Sequence, residues 1–307
     1  MSPISPSAQQ FLNSLSTIQQ NLDTAQQQLS SGRKVNQPSD APDELSPILQ
    51  LHASIQANTD AQSQLGTAQT TVDTAQTALS SAVNLLQQAS VFASQGLSPD
   101  ATAATRSTLA GGVQGLMQQM VALSQTSVEG RYIFSGDQDQ APLYQLDPTA
   151  PTGVDRLAVS PATTQVQGAD GAPFSVSRSA NTIFDDRNPD DTPAADNVFA
   201  ALNGLETALT ANDTAGIQSS VAALQTASTY MNGQLAFYGQ ASDRITAGQT
   251  EAQSQSVQLQ ADLSSRQDAD PTQDITELTQ AQTQMQAALA AQARMPLTTL
   301  FDVLPPG

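Results

Sequence analysis

Few residues in this chain have the type and spacing that chemistry requires. Cysteine is absent and His52 is the only histidine. Neither a thiolate site nor a multi-histidine metal site can therefore be assembled within one chain. His52 stands beside Leu51 near the start of a helical run, where a surface or seam-edge position is expected. Two acidic groups have the oxygen ligands that a hard cation takes. One is Asp185-Asp186-Arg187-Asn188-Pro189-Asp190-Asp191; the other is Asp268, Asp270, Asp274 and Glu277. Both lack the glycine and spacing of a calcium loop. The first reads as a solvated turn. The second reads as a helix start, with Asp270 capping before Pro271. No Gly-x-Ser-x-Gly, phosphate loop or Gly-x-Gly-x-x-Gly occurs, and no motif gives the many serines a histidine base. The expectation is no catalytic residue, no cofactor, no metal and no enzyme.

Composition narrows the partners. Ten Lys and Arg stand against 28 Asp and Glu among 307 residues, a net charge of −18 and a pI near 4.1. A field of that sign repels nucleic acid and anionic membrane surfaces. Tryptophan is absent and aromatics make up 4%, a thin supply for a thick globular core. No run of 18 apolar residues is long enough to cross a membrane. Met1 to Gln10 has neither the cationic nor the apolar part of a secretory signal.

What could hold such a chain together is the order of its apolar residues. Near the N-terminus they are Phe11, Leu15, Ile18, Leu22, Ala25 and Leu29, with steps of 4, 3, 4, 3 and 4. That is coiled-coil spacing, and Gly32 stops it. A second helix is predicted from Ser46-Pro47. Its seam is Ile48, Leu51, Ile55, Asn58, Gln62, Leu65, Ala68, Val72, Ala75, Leu79, Ala82, Leu86 and Ala89. A helix over 48–95 would be roughly 70 Å long, a rod rather than a globular helix.

A third helix is predicted to open at Ser98-Pro99 with Asp100 in its first turn. Its seam runs Leu109, Val113, Leu116, Met120, Leu123 and Ser127, and it is weakened by about 1 kcal/mol at each of Gly111 and Gly112. The C-terminal half mirrors this. Val198, Leu202, Leu205 and Leu209 precede a break at Asn212-Asp213. The next seam holds Ile217, Val221, Leu224, Ser228, Met231, Leu235, Tyr238, Ser242, Ile245, Gln249, Ala252, Ser256, Leu259 and Leu263. A last helix starts at Asp270-Pro271, with Gln273 completing a capping box, carries Ile275, Leu278, Gln282, Met285 and Leu289, and ends before Pro296.

The two long runs have nearly equal length, so antiparallel packing is predicted, residue 48 near 263 and residue 95 near 217. Asn58 and Gln62 then lie level with Gln249 and Ser256, a polar layer that fixes register. Alanines 68, 75, 82 and 89 allow a helix separation of about 8–10 Å. The expected core of this pair is Ile48, Ile55, Leu65, Val72, Leu79, Leu86, Val221, Leu224, Met231, Leu235, Ile245 and Leu259. The terminal helices are short and thinly apolar, so they need partners, each other and neighbouring subunits.

Between Phe134 and Pro193 the pattern changes. Seven prolines and ten acidic residues fall between Asp137 and Asp196, which breaks helical periodicity. Short β-prone pieces are Arg131 to Phe134, Val154 to Val159, Thr163 to Val166 and Phe174 to Val176. The last two flank the turn signal Gly168-Ala169-Asp170-Gly171. An exposed β-rich module of about 60 residues between helical arms is predicted.

Certain segments also resemble a known family. Leu29-Ser30-Ser31-Gly32-Arg33-Lys34-Val35-Asn36-Gln37-Pro38-Ser39-Asp40-Ala41-Pro42 is similar to the N-terminal signature of bacterial flagellins and their relatives. Its Pro-Ser-Asp-x-Pro ending looks like the hook–filament junction branch, the hook-associated protein 3 family. So does Gly130-Arg131-Tyr132-Ile133-Phe134-Ser135-Gly136 with Ala141-Pro142-Leu143. The C-terminus from Glu277-Leu278-Thr279-Gln280 to Leu300-Phe301-Asp302-Val303-Leu304 resembles that family's closing helix and tail. Ala41 departs from a frequent second Asp, and Ala291-Gln292-Ala293 with Pro296 echoes flagellin endings.

The resemblance implies a mainly α fold, an elongated antiparallel helical rod with a small β-rich insertion. It implies an inner-tube helix and connecting loop at 1–45, rod helices at 46–136, and an outward-facing variable domain at 137–195. C-terminal rod helices follow at 196–267 and an inner-tube helix at 268–307. It implies a structural subunit, exported by the flagellar type III apparatus and located outside the cell. The expected partners are copies of itself in a tubular assembly, hook-associated protein 1, flagellin and an export chaperone, with no nucleic acid and no membrane. Subunit contacts are expected at Phe11, Leu15, Ile18, Leu22, Leu29, Leu278, Met285, Leu289 and Leu300. Arg33 and Lys34, rare cations in an acidic chain, are expected in intersubunit ion pairs. A filament subunit, flagellin itself, and a secreted adhesin-like binding protein remain the alternative readings.

Overall fold

The computed structural model describes residues 6–168 and 172–293. The order is α1 (Pro6–Ser31), α2 (Pro42–Gly96), α3 (Ala103–Ser124), β1 (Ser127–Val128), β2 (Arg131–Tyr132), β3 (Tyr144–Leu146), β4 (Val154–Arg156), β5 (Gln165–Gln167), β6 (Pro173–Ser175), α4 (Ala180–Ile183), α5 (Val198–Thr210), α6 (Thr214–Gln267) and α7 (Pro271–Ala293). The fold is mainly α, with long antiparallel helices and small hairpins in the middle. The chain divides into two compact units, one of residues 1–58 and 255–307, the other of residues 59–254.

In the unit of residues 59–254, α2 and α6 run antiparallel, and glutamines at or beside the α2 seam tie them. Gln62 donates to the Ala252 carbonyl (3.1 Å), Gln69 to the Ser242 hydroxyl (2.9 Å) and Gln76 to the Tyr238 carbonyl (3.1 Å). Gln62 thus lies within one turn of its predicted level. Each of these half-buried glutamines sends its amide nitrogen to an acceptor on the facing helix. Leu65, Val72, Leu79, Leu86, Leu224, Met231 and Ile245 are buried, while Val221 and Leu235 are half-buried. Each full burial of a leucine or methionine stabilises by about 1.5–3 kcal/mol.

The buried face of α2 is wider than one seam, since Ala78, Val83, Leu85 and Ala93 are buried too. The reason is a second layer: α2 also meets α3 and α5. A Cβ at Gly112 would stand 2.9 Å from Phe92 Cε2, and one at Gly96 would stand 2.6 Å from Leu209 Cδ2. Gly112 is therefore a point of close helix approach and not simply a weak spot.

Two helix starts differ from expectation. α2 begins at Pro42, one turn before Ser46-Pro47. Pro42 fits the first helical position, with Asp43 and Glu44 complementing the N-terminal dipole. Pro47 lies inside the helix and forfeits one backbone bond. α3 begins at Ala103, not at Ser98-Pro99. Ser98 to Ala101 forms a turn, with the Ala101 amide donating to the Ser98 carbonyl (3.0 Å). Thr102 is the cap, its hydroxyl accepting the Thr105 amide (3.1 Å). The other breaks fall as expected: Gly32 has φ +67°, and Asn212, between α5 and α6, has φ +55°.

The middle consists of three two-stranded antiparallel hairpins, β1–β2, β3–β4 and β5–β6. Strands β1 and β3 were not foreseen. β1–β2 turns through Glu129 (φ +52°) and Gly130 (φ +80°), two left-handed residues as a tight hairpin turn requires. Of the predicted turn Gly168-Ala169-Asp170-Gly171, residues 169–171 lie outside the described residues. This middle segment is not a separately cored module. Phe134, Leu143, Tyr144, Phe174, Ile183 and Phe184 belong to the same buried cluster as Leu79, Met120, Leu202, Met231 and Tyr238. The scarce aromatics gather here. Phe134 packs edge-on against Phe184 (5.7 Å) and Tyr238 (6.3 Å), and Phe199 contacts Phe184 (6.0 Å) and Tyr144 (5.1 Å). Edge-to-face pairs such as the two made by Phe134 add about 0.5–1.5 kcal/mol beyond burial.

In the unit of residues 1–58 and 255–307, α1 packs against α7. After α1 the chain turns through residues 32–41 into α2.

Candidate assembly interface

The turn after α1 carries the flagellin-like signature, and its residues have defined tasks. Gly32 ends α1 in the left-handed conformation, its amide donating to the Gln28 carbonyl (2.8 Å). The chain then pairs with the segment entering α7. The Lys34 amide donates to the Gln267 carbonyl (2.8 Å) and the Ala269 amide to the Gly32 carbonyl (3.0 Å). The Asn36 side chain donates to the Arg33 carbonyl (2.8 Å). The Asp40 carboxylate accepts from the amides of Asn36 (2.9 Å) and Gln37 (2.7 Å). Asp40 closes the loop that launches α2 at Pro42. Near this corner Arg266 pairs with Glu44 at 2.8 Å.

Of the apolar seam residues of α1 and α7, only the alanines Ala25 and Ala281 are fully buried. Phe11, Leu15, Ile18, Leu22, Leu278 and Met285 are half-buried, and Leu29 and Leu289 are exposed. Leu300 lies outside the described residues, as do Phe301 to Leu304 and the predicted stop before Pro296. Leu12 and Ile275, absent from the predicted set, are 52% and 53% exposed. Leu12 sits beside the seam residue Phe11, and Ile275 belongs to the predicted seam of the last helix, so exposed apolar residues are not confined to the expected contacts. Arg33 and Lys34 are exposed and neither enters an ion pair among the described residues. Of the expected core of the long pair, Ile48 is buried, and Ile55 and Leu259 are half-buried.

The acidic run at 185–191 is not simply a solvated turn. Asp185 is 1% exposed. Its carboxylate accepts from Arg187 Nε (3.0 Å), Asn197 Nδ2 (2.7 Å) and the Tyr144 hydroxyl (3.2 Å). Asn197 in turn caps α5, accepting the Ala200 amide (2.9 Å). Asp191 joins Arg156 (2.5 Å) and Arg187 (3.5 Å). Burial and the adjacent Asp185 charge push the Tyr144 phenol far above its ordinary range. Burial, and then the neighbouring Asp196, raise the Asp186 carboxyl. This network locks a loop to the aromatic core.

None of this is catalytic geometry. His52 is exposed, and among the described residues no three His, Cys, Asp or Glu side chains gather as metal ligands. A cavity of about 150 Å³ lined by Met117, Leu146, Gly153 and Leu202 has Glu206 as its one ionisable lining residue. Among the described residues no helix is long and apolar enough to cross a membrane.

The class so defined is a helical structural protein whose two ends pair through a signature-bearing corner. Comparison with known proteins gives the family. Residues 5–139 match the bacterial flagellin N-terminal helical region, and residues 221–300 match the bacterial flagellin C-terminal helical region. The chain belongs to the bacterial flagellin family, and it is a structural, non-enzymatic component of the extracellular flagellum. No curated protein sequence matches it significantly. Several solved structures share its fold. A protein of Vibrio parahaemolyticus described as a flagellar hook-associated protein is 16% identical, with a TM-score of 0.64 over 75% of this chain and 100% of that one. The FlgL proteins of Xanthomonas campestris and Bacillus cereus are each 16% identical. Their TM-scores are 0.59 and 0.56, each over 70% of this chain, and over 99% and 98% of their own. At that identity the likeness is one of fold.

Proposed function

We propose that this subunit joins the hook side of the flagellum to its filament, packing into a tubular assembly through α1 and α7. The observation that carries this reading is the α1–α7 pair. Its seam fully buries only Ala25 and Ala281, its larger apolar residues are half-buried, and Leu12, Leu29, Ile275 and Leu289 stand exposed. A helix pair with so little fully buried apolar surface and large apolar residues left exposed is marginal alone and gains from burial against a partner. Phe11, Leu15, Ile18, Leu22, Leu29, Leu278, Met285, Leu289 and Leu300 supply the apolar subunit contacts. Arg33 and Lys34, exposed cations on a chain of net charge −18, pair with acidic residues of neighbouring copies. Hook-associated protein 1 and flagellin flank the assembly, and an export chaperone covers the terminal helices beforehand. The hook-associated fold neighbours and the Pro-Ser-Asp-x-Pro ending support the junction in particular.

The family match itself favours a second reading, flagellin as filament subunit. One strain separates the two. Cells lacking this protein shed monomeric flagellin into the medium if it is the junction; intact filaments on those cells would reject the junction role. Arg33→Glu tests the ion pairs: filament attachment falls while helix content of the isolated chain stays unchanged. Normal attachment in that variant removes the cations from the interface.

A further inference from the structure

The cavity lined by Met117 and Leu202 is formed wholly within the unit of residues 59–254. One wall is the α3–α5 packing, where Val113, Met117 and Leu202 are buried. The other is the β3–β4 hairpin, which supplies Leu146 and Gly153. The hairpin loop, residues 147–153, is braced. Asp147 accepts from the Thr149 amide (2.9 Å), and its own amide donates to the Gly153 carbonyl (3.1 Å). Asn203 of α5 donates to the Pro151 carbonyl (2.9 Å). A Cβ at Gly153 would stand 2.9 Å from Asn203 Oδ1 and 3.2 Å from Met117 Cε, so the loop already touches both helices. The space of about 150 Å³ that remains cannot be closed by drawing the loop inward. The buried part of its lining is apolar. Glu206, half-buried, is the one ionisable lining residue, and no lining residue is basic. Glu206 enters no ion pair among the described residues.

We propose that this cavity is a binding site for a small primary amine with an apolar body, of the size of benzylamine. The body fills the space between α3, α5 and the hairpin, and the ammonium donates to the Glu206 carboxylate. Volume sets the size, because a cavity of about 150 Å³ with apolar walls takes one benzene-sized group. Charge sets the sign. A neutral body leaves the carboxylate unpaired, and an anion is repelled both by Glu206 and by the net charge of −18. Ten residues line the cavity, against the roughly 20–30 that a protein partner covers, which favours a free small molecule over a docked chain. The site draws no residue from α1 or α7, so it stands whichever place the subunit takes in the flagellum.

The test is methyl NMR on the full chain with carbon-13 in its methionine methyls, titrated at pH 7 with benzylammonium chloride, benzyl alcohol or sodium benzoate. Met117 lines the cavity, and Met285 on α7 reports non-specific effects. The Met117 signal is expected to move saturably with benzylammonium, more weakly with the alcohol and not with benzoate, while Met285 stays in place. Glu206→Gln should weaken benzylammonium binding about fivefold, the worth of an ion pair at a partly exposed site, and bring it level with the alcohol. Leu146→Trp, at a lining position that is 39% exposed, should fill the mouth and abolish binding, with an unmoved signal from buried Met231 showing that the core is intact. A Met117 signal that stays still, that moves alike with all three compounds, or that responds to benzylammonium equally in wild type and Glu206→Gln would overturn the proposal.

Discussion

Asp185 tests whether the middle segment is held by its buried charge network. Asp185→Ala removes the acceptor of three donors at once: Arg187 Nε, Asn197 Nδ2 and the Tyr144 hydroxyl. Arg187, 18% exposed in its side chain, keeps only Asp191, whose backbone carbonyl accepts at 3.1 Å and whose carboxylate, 63% exposed, lies 3.5 Å away. Breaking a buried pair by deleting one partner costs about 3–5 kcal/mol. Asn197 is steadied by the Asp186 carbonyl (2.8 Å), so its cap on α5 persists and adds little to the loss. Asp185→Asn keeps the shape but turns one acceptor into a donor, a loss of about 1–3 kcal/mol. For a unit of this size about 1 kcal/mol moves Tm by about 2–4 °C. Asp185→Ala should therefore lower Tm by roughly 6–20 °C, with Asp185→Asn in between. Thermal unfolding followed by near-ultraviolet dichroism reads the tyrosine environment directly. A natively folded Asp185→Ala variant melting within about 4 °C of wild type would refute the argument that this charge is desolvated and paired.

Two further predictions follow from contacts in the same unit. Gly111 has open space where a Cβ would go, whereas Gly112 faces the Phe92 ring at 2.9 Å. Gly111→Ala should stabilise by about 0.5–1 kcal/mol through helix propensity, and Gly112→Ala should gain less or lose, which denaturant midpoints will show; equal gains at both would contradict the close approach. The Asp186 carboxyl, raised by burial and by Asp196, stabilises the folded state at acid pH and ceases to as pH rises through its raised value. Asp196→Asn should flatten that part of the stability–pH profile, and an unaltered profile would show that the two carboxyls do not interact.

The long seams were legible because strict 3-4 spacing over many turns has few competing explanations. Spacing placed Leu79, Leu86, Leu224 and Met231 in the core and put Gln62 within a turn of its partner. Gly32, Asn212 and Asp270-Pro271 were legible for a local reason, since each ends or starts a helix by its own backbone chemistry. Where two prolines compete, local rules do not choose. Pro42 and Pro47 each suit a helix start, and the tertiary corner closed by Asp40 selects the first. Strands of two or three residues have too few alternations to show a period, so β1 and β3 were missed. Asp185 was misjudged because a run of acidic residues has the look of a solvated turn. Its burial depends on Arg187 together with Tyr144 and Asn197, brought in from elsewhere in the sequence. Asp274 was read as part of a helix start, and only the packing of α1 on α7 reveals that it is buried. The second buried face of α2 had no sequence signal beyond extra alanines, because its partners α3 and α5 are distant in the chain.

The junction role is tested most directly by where the protein sits on an intact flagellum. Gold-labelled antibody against this chain, viewed on whole flagella by electron microscopy, should mark a single narrow band at the boundary between hook and filament. Label distributed along the filament would contradict the junction role and establish a filament subunit instead.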